Sequence, residues 1–257
     1  MTSPDRPSLG FATDLAARER EGSAIERHDD RTVVRTPENP DFRWGNFVLV
    51  PAGCRPERAA ELHADAFPTL PYATAGLDAA EPDVDEAAWA AAGFEAERSS
   101  VLTAARVHRP SSDLPPVREL RGEDWAAALA IEVDEWGEPE FQRRRFAGKR
   151  RAVDASAAVQ AGAVVDGAVV AIAGVVDAGG GTARFQDVTT RTGFRRRGCA
   201  AALVVALAAV AADRFGSRRL VMVADPDGPA IGLYRRLGFQ DEETQVQLTR
   251  MTVGTAT

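Results

Sequence analysis

The chain has 257 residues, 45% hydrophobic and 27% charged, with a formal net charge of −7. That length holds one large domain or two small ones, and that balance excludes a disordered or collagen-like chain. The negative charge argues against a nucleic-acid surface as the main function. Two cysteines cannot make a disulfide scaffold, and neither has a CxxC or CxxH neighbour, so no metal site is expected. The longest small apolar run, Cys199 to Ala212, is shorter than the roughly 20 residues a membrane span needs. Met1 to Arg20 lacks a basic segment followed by an apolar one. No membrane or secretory role is expected, and the cytoplasm is the default location.

In chain order, Asp14 to Arg27 predicts an amphipathic helix, and Arg31 to Arg35 a strand. Asn46 to Pro51 predicts a short buried strand bounded by turn residues. Pro56 to Ala66 predicts a helix with proline in its first turn. Leu70 to Leu77 predicts a strand, Asp85 to Ala92 a helix stopped by Gly93, and Val101 to Val107 a strand. Arg109 to Val117 holds three prolines and two serines and is the best linker candidate. Beyond it come a strand at Val117 to Leu120 and helices at Glu123 to Trp136 and Pro139 to Val153. The runs Ala157 to Val165 and Ala168 to Asp177 flank Asp166-Gly167, a strong hairpin turn because both positions need positive φ. A strand (Ala183 to Thr190), a long apolar helix (Ala200 to Arg214), a strand (Leu220 to Ala224), a helix (Pro229 to Leu237) and a strand (Thr244 to Thr249) complete a mixed α/β sheet.

The halves echo each other at one step. Gly53-Cys54 and Gly198-Cys199 stand 145 residues apart. So do Gly93-Phe94 and Gly238-Phe239, Trp89 and Tyr234, and Val101 and Val246. Several coincidences at one offset point to a duplicated domain.

The chemistry lies in Phe185 to Ala201. A strand runs into a turn with Gly193, Arg195, Arg196, Arg197 and Gly198, and a helix starts at once. A helix start offers free N–H groups and the positive end of the dipole. A glycine lets an anion approach them, and arginines suit phosphate oxygens. The pattern reads as a diphosphate site. A P-loop is ruled out because its GxxxxGK[ST] run is absent, and Gly193 and Gly198 do not give the Rossmann spacing.

Arg195-Arg196-Arg197-Gly198-Cys199-Ala200 instead resembles [RQ]xxGx[GA], the acyl-CoA pyrophosphate loop of the GNAT superfamily of N-acetyltransferases. Asp227 to Phe239 resembles its other hallmark, NxxAxxLYxxLGF: Ala230, Leu233, Tyr234, Leu237, Gly238 and Phe239 agree, and Asp227 replaces the usual asparagine. The resemblance covers about Val117 to Thr249. It implies an α/β (α+β) fold of two GNAT-like mixed-sheet domains in tandem: a degenerate one at 1–110 and a complete one at 111–257. In the first, Val50 and Arg55 stand where the loop would need Arg195 and Ala200. No CoA binding is expected there.

The resemblance further implies direct transfer of acetyl from acetyl-CoA to an amine acceptor, expected to be a small molecule, in a ternary complex. Val188, Thr189 and Thr190 would face the pantetheine arm, and Arg195 to Ala201, with Asp227, the rest of the cofactor. Tyr234 would protonate the departing thiolate, and Asp187 would act as base. Glu132, Asp134 and Glu135 read as a charged helix face and Trp136 as core. The run Arg143, Arg144, Arg145, Lys149, Arg150, Arg151 reads as a solvated basic face. Cys199 sits at a helix start that lowers a thiol pKa, but in the family pattern it only packs. His28, His63 and His108 lack ligand spacing. The rival reading is a non-catalytic acyl-CoA binding or sensing protein. The N-terminal half also reads as an interaction module for a partner or for homodimerisation.

Overall fold

Ser8 opens the first helix, its hydroxyl accepting from the amide of Phe11. In the computed structural model, which describes residues 6–251, this helix, α1 (Leu9–Glu21), is followed by β1 (Ala24–Arg27), β2 (Thr32–Arg35), β3 (Phe47–Pro51), α2 (Pro56–Ala66), β4 (Tyr72–Asp78), α3 (Glu86–Ala91) and β5 (Glu95–Ala104). The second half runs β6 (Val117–Glu119), α4 (Asp124–Trp136), α5 (Pro139–Asp154), β7 (Ala158–Val165), β8 (Ala168–Gly179), β9 (Thr182–Thr190), α6 (Cys199–Phe215), β10 (Arg219–Ala224), α7 (Ile231–Arg236) and β11 (Gln240–Met251).

The largest boundary differences from expectation are at α1 and β5, and the closing strand, expected at Thr244 to Thr249, runs from Gln240 to Met251. The first helix lies earlier than Asp14 to Arg27, because Gly22 takes φ 102° and its amide caps the carbonyl of Glu19. Residues 24–27 then pair with β2 instead. The strand expected at Val101 begins at Glu95, since its polar first residues lie exposed on a sheet neighbour rather than in the core.

All eleven strands form one sheet, in the order β1-β2-β3-β4-β11-β5-β10-β9-β8-β7-β6. Only β3 with β4 and β9 with β10 run parallel. The halves exchange their last strands. β11 lies between β4 and β5, and β5 lies between β11 and β10. The two strands start 145 residues apart, as do α3 and α7. The Pro-rich stretch carries no helix or strand over 105–116, and the sheet is continuous across it.

One face carries α6 and α7 over β8 to β10, and a second core lies under α2 and α3. On the opposite face of the second half lie α4 and α5, joined by α1 from the first. Buried Glu243 of β11 holds α1 there, accepting from the Ser8 hydroxyl at 2.8 Å and the Gly10 amide at 2.7 Å. No described helix is long and apolar enough to cross a membrane.

Candidate active site

The strands β9 and β10 pair only from Thr182 to Arg184 and from Arg219 to Val221. Beyond that point they part, and the β10 side of Phe185 to Thr190 is left without a strand partner. The same stretch carries a bulge: Ala173 of β8 faces both Asp187 and Val188. Asp187 takes φ 49°, a left-handed conformation that aspartate tolerates better than most residues. The extra residue splits the strand's side chains. Val188 packs toward α6, while Asp187 turns toward α5.

The gap opens into a cleft of about 410 Å³ lined by Val188, Thr189, Thr190, Arg195, Arg196 and Gly198 to Ala201, with Leu233 and Tyr234 opposite. Gly198 stands ahead of α6 at φ 78°. Within the described residues, no group accepts from the amides of Arg196 to Ala201, and no side chain caps α6. The first turn of α6 thus brings unpaired donors and the positive end of its dipole to the cleft. Arg195 bonds the Thr190 carbonyl and pairs with Glu135, whereas Arg197 stacks on Phe194 and points away. Asp227 lies exposed in the turn ahead of α7 and does not line the cleft; its amide bonds Asp225. Trp136, expected in the core, is 65% exposed and forms the cleft rim. Gly137, at φ 70°, ends α4 there, its amide donating to the Val133 carbonyl.

Tyr234 is 4% exposed and meets Phe239 edge-on at 6.4 Å. Burial pushes its phenol up to about 12, so it keeps its proton at neutral pH. Cys199 is buried, and burial pushes its thiol up, outweighing the helix start.

The opposite face of β9 holds a cluster that sequence reasoning missed. Asp187 Oδ2 lies 3.0 Å from Lys149 Nζ and 3.1 Å from Arg145. Lys149 is 1% exposed and lies 4.4 Å from the Phe146 ring centre. Burial raises the Asp187 carboxyl, but Arg145 and Lys149 outweigh it and hold it well below the usual range. Glu132 is 3% exposed and accepts from the Thr189 hydroxyl at 2.8 Å. Burial pushes its carboxyl up, with Lys149 acting the other way. The expected solvated faces are therefore only partly solvated: Glu132 and Lys149 turn inward, while Arg143 and Arg150 stay exposed. Lys149 is the sole lysine of an arginine-rich chain, one turn beyond Arg145, but a run of charges on a helix does not tell which of them turns inward. From the first half, Arg18 and Asp14 of α1 form an ion pair, and Asp14 also reaches Arg184 of β9. Among the described residues no His, Cys, Asp or Glu cluster has metal-binding geometry.

The model of the acetyltransferase (GNAT) family matches residues 116–239. No curated protein sequence matches the chain. Among solved structures it is similar to a GCN5-related N-acetyltransferase from Kribbella flavida, at 18% identity and TM-score 0.66, over 95% of this chain and 96% of that one. A GCN5-related N-acetyltransferase from Sphaerobacter thermophilus is similar at 17% identity and TM-score 0.60, over 97% and 96%. A tandem GNAT protein from the clavulanic acid biosynthesis pathway is similar at 18% identity and TM-score 0.56, over 95% and 88%. At these identities the likeness is one of fold, and it extends across both halves.

Proposed function

Since residues 116–239 belong to the GNAT acetyltransferase family, we propose that the chain moves an acetyl group from acetyl-CoA directly to an amine, with both substrates bound at once. The observation that carries this reading is the parting of β9 from β10 over a helix start whose amides have no acceptor. The residues fit the cofactor. The amides of Arg196 to Ala201 and the guanidiniums of Arg195 and Arg196 suit a pyrophosphate. The unpartnered edge from Val188 to Thr190 suits an amide-bearing arm, and Phe194 and Leu233 supply apolar walls. Bound acetyl-CoA supplies the activated thioester.

The protein's own groups do the rest. Tyr234 holds a proton beside the cleft and gives it to the departing sulfur. Asp187, expected as base, is a poor one in this setting, because two cations stabilise its charged form. We assign the base to Glu132. An ammonium proton passes to Thr189 Oγ1 as the Thr189 hydroxyl proton passes to Glu132, leaving a neutral amine and a neutral carboxyl. Asp187 serves as counter-ion to Arg145 and Lys149. The first half is a closed copy of the same unit, from 1 to about 110, that supports the second.

The test is calorimetric titration with acetyl-CoA followed by an amine panel. Glu132→Gln is expected to lower kcat about a hundredfold and to remove the limb on which activity rises with pH, with acetyl-CoA affinity within about twofold of wild type. Wild type that binds acetyl-CoA yet acetylates no amine favours the acyl-CoA sensor. Wild type that does not bind acetyl-CoA overturns the enzyme reading.

A further inference from the structure

A second cavity, of about 700 Å³, lies where the two halves meet. Its walls are Phe42, Trp44 and Tyr72 from the first half and Glu138, Phe141 and Arg145 from the second. Four of those six are aromatic. Phe42 and Tyr72 are each 5% exposed and immobilised, Phe42 edge-on to Phe141 at 5.8 Å and Tyr72 by its hydroxyl donating to the Pro40 carbonyl at 2.6 Å. Trp44 and Phe141 are only partly buried. A cavity of this size suits a ligand of some tens of atoms, and rigid aromatic walls favour a flat ring between them.

The lining carries charges of both signs, Asp41, Glu138 and Glu140 with Arg43 and Arg145. Glu138 lies exposed with no ion-pair partner among the described residues, as does Arg43. The Arg145 guanidinium stacks over Phe42, 4.7 Å from the ring centre, and bonds Asp187 at 3.1 Å. The residue after Asp187 is Val188, which lines the acetyl-CoA cleft. The two cavities therefore approach the β9 bulge from opposite faces of the sheet. Three carboxylates line it against two guanidiniums, one of which is paired with Asp187, so the lining favours a cationic amine over an anion.

We propose that this cavity holds the acceptor and that the acceptor is an alkyl amine bearing an aromatic ring, its ring among Phe42, Trp44, Tyr72 and Phe141 and its amino group toward the β9 bulge. The assignment rests on the acetyl-transfer reading. It makes the first half, which supplies three of the walls, a determinant of specificity.

Calorimetry with 2-phenylethylamine and with hexylamine, which has the same charge and no ring, tests it at saturating acetyl-CoA. Wild type is expected to bind the ring-bearing amine about tenfold more tightly. Trp44→Ala and Phe141→Ala are each expected to erase most of that preference, and Trp44→Phe to restore part of it. Acetyl-CoA affinity, expected to be unchanged in all three, reports that they are folded. Equal affinity for the two amines, or a Trp44→Ala preference within about twofold of wild type, overturns the acceptor assignment and leaves the cofactor cleft standing. Failure of wild type to bind acetyl-CoA removes the parent reading and this one together.

Discussion

Two turns 145 residues apart have opposite fates. Before α6, Gly198 at φ 78° exposes a row of amides, and β9 leaves β10 after three paired residues. Before α2, Arg55 is extended and Pro56 takes the first helical position, which removes one N–H outright. There β3 pairs with β4 through its last residue, Pro51 opposite Asp78. No gap opens, and Val50 and Leu77 are buried. Where Tyr234 presents a phenol to a cleft, Trp89 packs edge-on against Phe94 at 5.1 Å. One topology thus yields a cleft or a closed parallel pair according to whether the two strands part and what sits at the helix start.

The largest effect is expected from a carboxylate placed in each turn. Gly198→Glu should cost about 4 kcal/mol of acetyl-CoA binding, roughly a thousandfold, by losing charge-assisted N–H bonds and adding repulsion. Gly53→Glu, where an added Cβ meets nothing within 4 Å, should leave the calorimetric affinity unchanged. Equal losses in both would mean that the comparison is wrong. Next, Tyr234→Phe should lower kcat about a hundredfold with little change in acetyl-CoA affinity. Trp89→Phe should leave turnover intact and cost about 1–3 kcal/mol in denaturant unfolding.

The smallest effect concerns pH and the first half. His63 of α2 is buried between Phe67 and Tyr72, with a ring nitrogen 3.4 Å from the Asn46 carbonyl. Burial lowers its pKa from 6.5 to about 4. The unfolded chain therefore takes up the proton first, and stability is lost as pH falls from about 6.5 toward 4. Between pH 7 and 5 the loss from this group is about 2 kcal/mol. His63→Gln should flatten that part of the curve of unfolding free energy against pH. An unchanged slope would show that other groups govern acid sensitivity.

Local patterns made much of this legible. The helix at Pro56 to Ala66 ends where expected, because a proline start and an apolar stripe are local signals. The glycine turn ahead of α6 was readable because a helix start and its dipole depend on a few consecutive residues. Lys149, Arg145 and Glu132 were not readable in the same way, since a charged helix face looks the same whether it meets water or another carboxylate.

The sequence by itself determined the order of elements and the glycine turn at a helix start, both set by neighbours within a few residues, and it carries the echo at a step of 145 residues. Only the tertiary structure decided that the last strands are exchanged, that Asp187 is neutralised by α5 while Glu132 is buried behind Thr189, and that the first half walls a cavity of the second. Each of these rests on contacts between residues far apart in the chain, where burial and partner charge, rather than residue type, set the energy.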